Sequence, residues 1–337
     1  NTSINVVLCR HEQAAGHMAD GYARATGKVG VCVATSGPGA TNLTTAVATA
    51  YMDSVPMVAI TGQVKTALIG NDAFQEADVT GIMRPITKHA YLVKEVRDLA
   101  RIVNEAFHIA STGRPGPVVI DLPVDVTTGV HDGIIDDELD LPGYKPSLEG
   151  HPKQIKMAAE AINAAERPVL YAGGGVISSG CSDLVHEMAK RARIPVTTTL
   201  MGLGLFSEDD ELSLHMLGMH GTAYANYAVT HTDLLIAVGA RFDDRITGKL
   251  DAFAPGAKVV HIDVDPTSIS KTVSVDVPVV GDARQVLQEL IPLLERKERK
   301  PWLEQVRQWK EKYPLSYDRD ADAVKPQAIL EEIARLT

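Results

Sequence analysis

Cysteine is scarce. Only Cys9, Cys32 and Cys181 occur among 337 residues, too few for a framework of disulfides. Cys9 and Cys32 fall in apolar runs that read as strands, where a thiol behaves as a small hydrophobe. A reducing, cytoplasmic setting is the expectation. Long apolar runs are lacking too. None approaches the roughly 18 residues of a membrane-spanning helix, and the N-terminus carries no signal-peptide pattern. Basic clusters are equally absent, and with a net charge of −10 nonspecific nucleic-acid binding is not expected. The nearest approach, Glu295-Arg296-Lys297-Glu298-Arg299-Lys300, mixes both signs and reads as a solvated linker or helix end. Metal-ligand spacing is missing as well. His11-Glu12 opens like a zinc-protease signature, but Ala15 stands where that motif needs its second histidine. The 11 histidines show no other ligand spacing, so no metal held by these side chains is expected.

What is present is an ordinary globular composition, 45% apolar and 23% charged, in a chain long enough for two domains. Runs rich in Val and Ile, apolar on both faces, read as buried parallel strands at 4–8, 29–34, 56–60 and 117–122. Helical patterns at about 11–26, 38–52 and 95–111 separate them, which makes βαβ units. The second half repeats the alternation, with strands at 168–172, 194–198, 233–238, 258–263 and 278–280. Its helices fit at about 152–165, 181–192, 222–231 and 283–296. Between the halves, Asp132, Asp136, Asp137, Glu138 and Asp140 accompany Gly133, Pro142, Gly143, Pro146 and Gly150, a polar, breaker-rich linker. The expected fold class is therefore α/β, with two doubly wound parallel-sheet domains. Their boundaries are placed at 1–128 and 152–312, with a linker at 129–151. Residues 313–337 read as a further linker and the start of a third domain. The chain opens in an apolar run without an initiator methionine, so a preceding segment is expected.

Four stretches carry chemistry. Glu12, in Cys9-Arg10-His11-Glu12-Gln13, stands at a strand-to-helix corner, where α/β folds present functional groups. The plainer reading is a helix cap, in which a carboxylate gains up to about 1 kcal/mol from the dipole. Ser36-Gly37-Pro38-Gly39-Ala40-Thr41-Asn42 ends one strand and opens a helix. Its glycines allow a tight turn and close approach of a ligand, and a helix start favours anions. It has no Walker lysine, and a plain turn fits equally well. Gly173-Gly174-Gly175 has more glycine than a turn needs, which favours backbone approach to a dinucleotide, although the G-x-G-x-x-G spacing is not met. Gly239-Ala240-Arg241-Phe242-Asp243-Asp244-Arg245 follows another strand, and Arg241 and Arg245 can neutralise a diphosphate. Asp263 ends a third strand, the place for an acid on a ribose hydroxyl. Loaded strand ends favour dinucleotide binding over a purely structural role.

In order along the chain stand Arg10-His11-Glu12-Gln13, Gly21-Tyr22-Ala23-Arg24, the 35–42 turn, Ile60-Thr61-Gly62-Gln63 and Asp72-Ala73-Phe74-Gln75-Glu76. Gly113-Arg114-Pro115-Gly116-Pro117, Leu217-Gly218-Met219-His220-Gly221 and the 241–245 run follow. With these motifs in register, the chain resembles over essentially its whole length the large catalytic subunit of bacterial acetohydroxyacid (acetolactate) synthase, a thiamine-diphosphate enzyme family.

The resemblance implies three domains. The first, at 1–128 and N-terminally incomplete, binds the thiamine pyrimidine. The central one, at 152–312, binds FAD. The third binds diphosphate and magnesium, supplies the magnesium ligands, and is absent here beyond its start. Glu12 is implied to be the acid that hydrogen-bonds the pyrimidine ring nitrogen, with burial raising its pKa so that its proton stays available. Gln75 joins it as a catalytic residue, and Pro38 and Asn42 lie near the pyrimidine. The Gly37–Gly39 turn then meets the thiamine ring rather than an anion. Phe74 is implied to wall the substrate channel. Lys65 and Val124 line that channel too, where the family often has Pro and Lys, at positions that bind inhibitory herbicides. The implied FAD contacts begin with Arg114, the glycines Gly173, Gly174 and Gly175, and the Thr199, Leu200 and Met201 turn. They continue through Leu217, Gly218, Met219 and His220 to Gly239, Ala240, Arg241, Asp243 and Arg245. Asp263, Asp282 and Ala283 complete them.

The implied reaction decarboxylates pyruvate and condenses the hydroxyethyl unit with a second pyruvate or with 2-oxobutyrate, in branched-chain amino-acid biosynthesis. It transfers no net electrons to FAD. A homodimer or higher oligomer is implied, because the family's active site lies between subunits, and so is a small regulatory subunit. No nucleic-acid or membrane partner is expected. Two other readings stand beside this one. A sister thiamine enzyme such as pyruvate oxidase would reduce its FAD. A non-catalytic FAD-binding or interaction module would be what residues 1–337 amount to alone.

Overall fold

Every strand pairing described in the chain is parallel, as strands apolar on both faces require. The structure is a computed structural model that describes residues 4–131, 138–320 and 323–337. The chain divides into two units, Asn1–Leu148 and Glu149–Thr337. Of the interdomain linker residues, Asp132, Gly133, Asp136 and Asp137 lie outside the described residues.

In the first unit β1 (Gly30–Ala34), β2 (Met57–Gln63), β3 (His89–Leu92) and β4 (Pro117–Pro123) form one sheet in the order β1-β2-β4-β3. Val119 of β4 packs with Ala19, Leu43, Val47 and Met57 on one face. Val118 and Ile120 pack with Ile102, Ala106 and Ile109 on the other. Alternation along one strand thus joins helices on both sides into two cores. The helix Glu12–Thr26 packs close enough that a Cβ on Gly16 would lie 2.5 Å from Ala46 Cβ.

The second unit holds β5 (Pro168–Ala172), β6 (Val196–Thr198), β7 (Ser213–Met216), β8 (Leu234–Val238), β9 (Lys258–Asp263) and β10 (Val277–Val280). Their order is β10-β9-β8-β5-β6-β7. The chain builds outward from β5 to β7, then returns to β5's other edge and builds outward to β10. That is the dinucleotide-binding topology, with its switch point between β5 and β8. Val169 and Tyr171 face one core, and Leu170 and Ala172 the other.

Three expectations change. The 4–8 run joins no ladder among the described residues and is exposed, Leu8 by 95%; apolar composition makes no strand without a neighbour to bond. Two strands were not foreseen. His89–Leu92 sits at a sheet edge and is half-exposed, and Ser213–Met216 is short and irregular, with His215 at φ 57°. The mixed-sign 295–300 run is not wholly solvated. Arg299 is buried and donates to Ile162 O (2.7 Å), Ala165 O (3.3 Å) and Ala192 O. It thereby tethers the C-terminal ends of the helices Pro152–Ala164 and Ser182–Ala192. Beside it, buried Trp302 donates from Nε1 to Pro168 O at 3.1 Å. No helix among the described residues is long and apolar enough to cross a membrane.

Candidate functional site

Glu12 is the first residue of its helix, and His11 caps it by accepting from Gln13 N at 3.1 Å. The carboxylate is therefore free for other work. Asn42 Nδ2 donates to Glu12 Oε2 at 3.0 Å, bringing two expected site residues into one bond. The expected rise in the Glu12 pKa is not what the structure shows. Asn42's hydrogen bond, helped by a backbone N–H, holds the half-buried carboxyl below its usual range and outweighs burial. Pro38 opens the short helix Pro38–Asn42 behind Gly37, which sits at φ 61°. A Cβ on Gly37 would come within 2.5 Å of Gln75 O, and one on Gly39 within 3.4 Å of Glu12 Oε1. Glu12, Asn42, the glycine turn and the Gln75 backbone thus share one place at the C-terminal ends of β1 and β2.

The loop that carries Gln75 is tied down by acids. Asp125 accepts from Thr66 N at 3.0 Å and from Thr66 Oγ1 at 2.5 Å, setting Lys65 near Val124. Glu76 turns inward and accepts from Gly70 N and from Ala73 N (2.9 Å), which holds its pKa below the usual carboxylate value. Gln75 takes a left-handed backbone, φ 58°, a conformation that non-glycine residues keep only under constraint. Phe74 projects outward, 89% exposed. Asp125, Asp121 and Thr61 were given no role by the sequence reading. The available signal for Asp121 was a lone acid at the end of an apolar strand.

In the second unit the loaded strand ends gather at the switch point. Gly173 follows β5 and Gly239 follows β8, where Gly239 N and Gly173 N extend the sheet bonding. The glycine run has a reason internal to the chain. A Cβ on Gly173 would lie 2.3 Å from Gly239 O, and one on Gly175 2.6 Å from Gly239 Cα. A Cβ on Gly174 would meet Met201, its Cβ at 3.1 Å and its carbonyl oxygen at 3.4 Å. Thr199, Leu200 and Met201 follow β6, and Thr199 Oγ1 is buried with no hydrogen-bond partner among the described residues. Leu217 is buried. Gly218, at φ 97°, and Met219 lie against the Arg245 carbonyl, Met219 N donating to it at 2.9 Å, with His220 exposed beyond. Ala240 is buried, and the Arg241 and Arg245 side chains are exposed. Asp243 and Asp282 cap the helices that follow them, with Ala283 buried in the first turn. Asp263, at the end of β9, accepts from Asp265 N at 2.8 Å. His261, fully buried, had been overlooked. Its Nε2 lies 2.9 Å from Ala240 O, an acceptor, so Nε2 carries a hydrogen, and Nδ1 is buried without a hydrogen-bond partner among the described residues. Arg114 belongs to the first unit, where it donates to Ser54 Oγ (2.8 Å) and Tyr51 O (3.3 Å).

Sequence comparison places these features in a class. Residues 1–82 match the thiamine pyrophosphate enzyme N-terminal TPP binding domain, and residues 155–290 match the thiamine pyrophosphate enzyme central domain. The chain belongs to the thiamine pyrophosphate enzymes, and thiamine diphosphate is the cofactor this match supports. Within that class it is similar to acetolactate synthase large subunits. It is 54% identical over 337 residues to the probable large subunit of Methanocaldococcus jannaschii, across 97% of this chain and 56% of that protein. Over 343 residues it is 49% identical to the isozyme 3 large subunit of Escherichia coli, across 99% and 60%. The Porphyra purpurea large subunit is 51% identical over 336 residues, across 97% and 57%. The chain thus spans less than two thirds of the length of these relatives.

Proposed function

We propose that this chain is the pyrimidine-binding and central part of an acetolactate synthase large subunit, with the first domain at 1–128, a linker at 129–151 and an FAD-binding domain at 152–312. The observation that supports it most is the Glu12–Asn42 pair under the Gly37 turn and the Gln75 backbone, in a chain about half identical to acetolactate synthase large subunits. A carboxylate and an amide beside a glycine-rich turn suit a flat ring that both donates and accepts hydrogen bonds.

Thiamine diphosphate, when bound, supplies the carbon nucleophile for the keto group of pyruvate. Glu12 would hold a proton at the pyrimidine nitrogen. Asn42 holds the Glu12 pKa below the usual carboxylate range, and a ring laid over the carboxyl would exclude water and push that pKa upward, which would favour the protonated form. Gln75 orients the substrate, and Phe74, Lys65 and Val124 line its approach. In the second unit, FAD fits the switch-point crevice. Arg241 and Arg245 would hold its diphosphate and Asp263 a ribose hydroxyl, and Thr199 offers a buried hydroxyl without a partner among the described residues. Magnesium enters through the family alone, and no residue here is assigned to it. The second oxoacid is pyruvate or 2-oxobutyrate, and the assembly a cytoplasmic homodimer or higher oligomer with a small regulatory subunit.

The test is to give the intact protein pyruvate, thiamine diphosphate, magnesium and FAD, then follow product and flavin together. Acetolactate with the flavin remaining oxidised is expected. Acetyl phosphate with flavin bleaching would replace this reading with a pyruvate oxidase, and FAD binding without thiamine diphosphate binding would replace it with a non-catalytic module.

A further inference from the structure

Asp121 has no role in the reading above, yet it is only 1% exposed. It faces Thr61 across the β2–β4 ladder, and both of its oxygens are used. Thr61 Oγ1 donates to Oδ1 at 2.7 Å, and Gln63 Nε2 donates to Oδ2 at 2.9 Å. Thr61 and Gln63 are 0% and 3% exposed. The Gln63 amide is fully occupied. Nε2 also donates to Ala77 O at 2.8 Å, and Oε1 accepts from Val64 N at 2.8 Å.

These bonds reach the site. Ala77 ends the loop that begins after Gln63, and two residues earlier Gln75 lays its carbonyl against Gly37. Asp125 ties the loop's start through Thr66, and Glu76 gathers its middle. The Gln63 amide ties its end to the sheet. Burial alone would favour an apolar residue at position 121. The ionised carboxyl carries a desolvation cost that its two hydrogen bonds only partly offset, and its pKa is pushed up to about 6.

We propose that Asp121 is a positioning residue: it orients the Gln63 amide, which holds Ala77 and so sets the Gln75 backbone over the Gly37 turn. The inference rests on the reading of that turn as the thiamine and substrate site. It concerns placement and not charge. Asn at 121 can still offer its carbonyl to Gln63 while its NH2 faces the Thr61 hydroxyl, which can accept. Leu can offer nothing.

The test uses the intact protein carrying Asp121→Leu, Asp121→Asn, Gln63→Leu or the Asp121→Leu/Gln63→Leu pair. Amide hydrogen exchange is measured without cofactor, and pyruvate KM and kcat with it. In Asp121→Leu the amides of residues 66–77 should exchange at least about tenfold faster while those of β2 and β4 keep their protection. Pyruvate KM should rise about tenfold or more, as sub-ångström misplacement of a binding group does. Asp121→Asn should restore both. Gln63→Leu should match Asp121→Leu, and the double variant should be no worse than either, as expected of two links in one chain. Unchanged exchange at 66–77 in Asp121→Leu would overturn the inference, as would additive losses in the double variant. Where Asp121→Leu does not fold, Gln63→Leu alone decides by the same readouts. Faster exchange with unchanged KM would instead show that the loop is not part of the site, and the functional reading beneath the inference would fail.

Discussion

Adding one methyl group at Gly173 should damage the second unit, whereas adding it one residue later should not. At Gly173 the new Cβ would sit 2.3 Å from Gly239 O, 2.7 Å from Ala240 Cα and 2.9 Å from Ala240 Cβ. Two of those atoms are backbone at the end of β8 and cannot swing aside, so the strand ends must part by roughly an ångström. Overpacking of this kind costs about 1–3 kcal/mol. Loss of the bond between Gly173 N and Val238 O adds about 1 kcal/mol. At Gly174 the only close atoms belong to Met201, its Cβ at 3.1 Å. Gly174 is not at positive φ, so Ala there regains about 0.4–1 kcal/mol from the unfolded chain. The unfolded-chain gain is common to both variants, since neither glycine is at positive φ, so the difference between Gly173→Ala and Gly174→Ala is about 2–4 kcal/mol. For a domain of this size it shifts the melting temperature by roughly 4–16 °C. Differential scanning calorimetry of the intact protein would read the shift, and flavin absorbance after gel filtration would show whether the cofactor crevice survives. Equal melting temperatures for the two variants would refute the assignment of Gly173 to internal packing and return the glycine run to a ligand.

Other consequences follow from buried groups. Arg299→Met should lower stability by about 3 kcal/mol or more, because carbonyls at two helix ends lose their donor; urea unfolding followed by the nearby Trp302 would measure it. Burial raises the Cys32 and Cys181 thiols to about 12, so iodoacetamide near neutral pH should label the half-buried Cys9 first, by about two orders of magnitude; peptide mass spectrometry would check the order. Asp121 has a folded pKa of about 6 against an ordinary 3.8. The folded state therefore binds its proton more tightly, and the stability this contributes is present at low pH and lost as pH rises through about 6. Any stability advantage of Asp121→Asn over the parent should accordingly shrink by about 2–3 kcal/mol between roughly pH 7.5 and pH 4. An advantage that stays constant with pH would show that Asp121 is not buried as an ion.

The parallel sheets were legible because Val- and Ile-rich runs apolar on both faces have few other places to go. The 4–8 run was misread for the same reason: its composition is that of a strand, but pairing is a property of neighbours. Arg299 was hidden in a run of alternating signs, since nothing local shows that its chain turns left-handed there, φ 45°, and sends the guanidinium inward. The Gly173–Gly175 run was read as backbone approach to a dinucleotide, whereas the atoms that most closely crowd Gly173 and Gly175 belong to Gly239. Composition could not say whether the approaching atoms belong to a ligand or to Gly239. The Glu12 pKa depends on how much water reaches the carboxylate and on the Asn42 bond, and both are set by residues thirty positions away in sequence.

The most direct measurement is acetolactate formation by the intact protein and its Glu12→Gln variant, with thiamine diphosphate affinity determined alongside. The predicted result is acetolactate from the parent, and from the variant retained cofactor binding with a rate lower by about 10²–10⁴-fold. A variant that binds the cofactor and turns over pyruvate at the parent's rate would contradict the role of Glu12 as the site's proton donor.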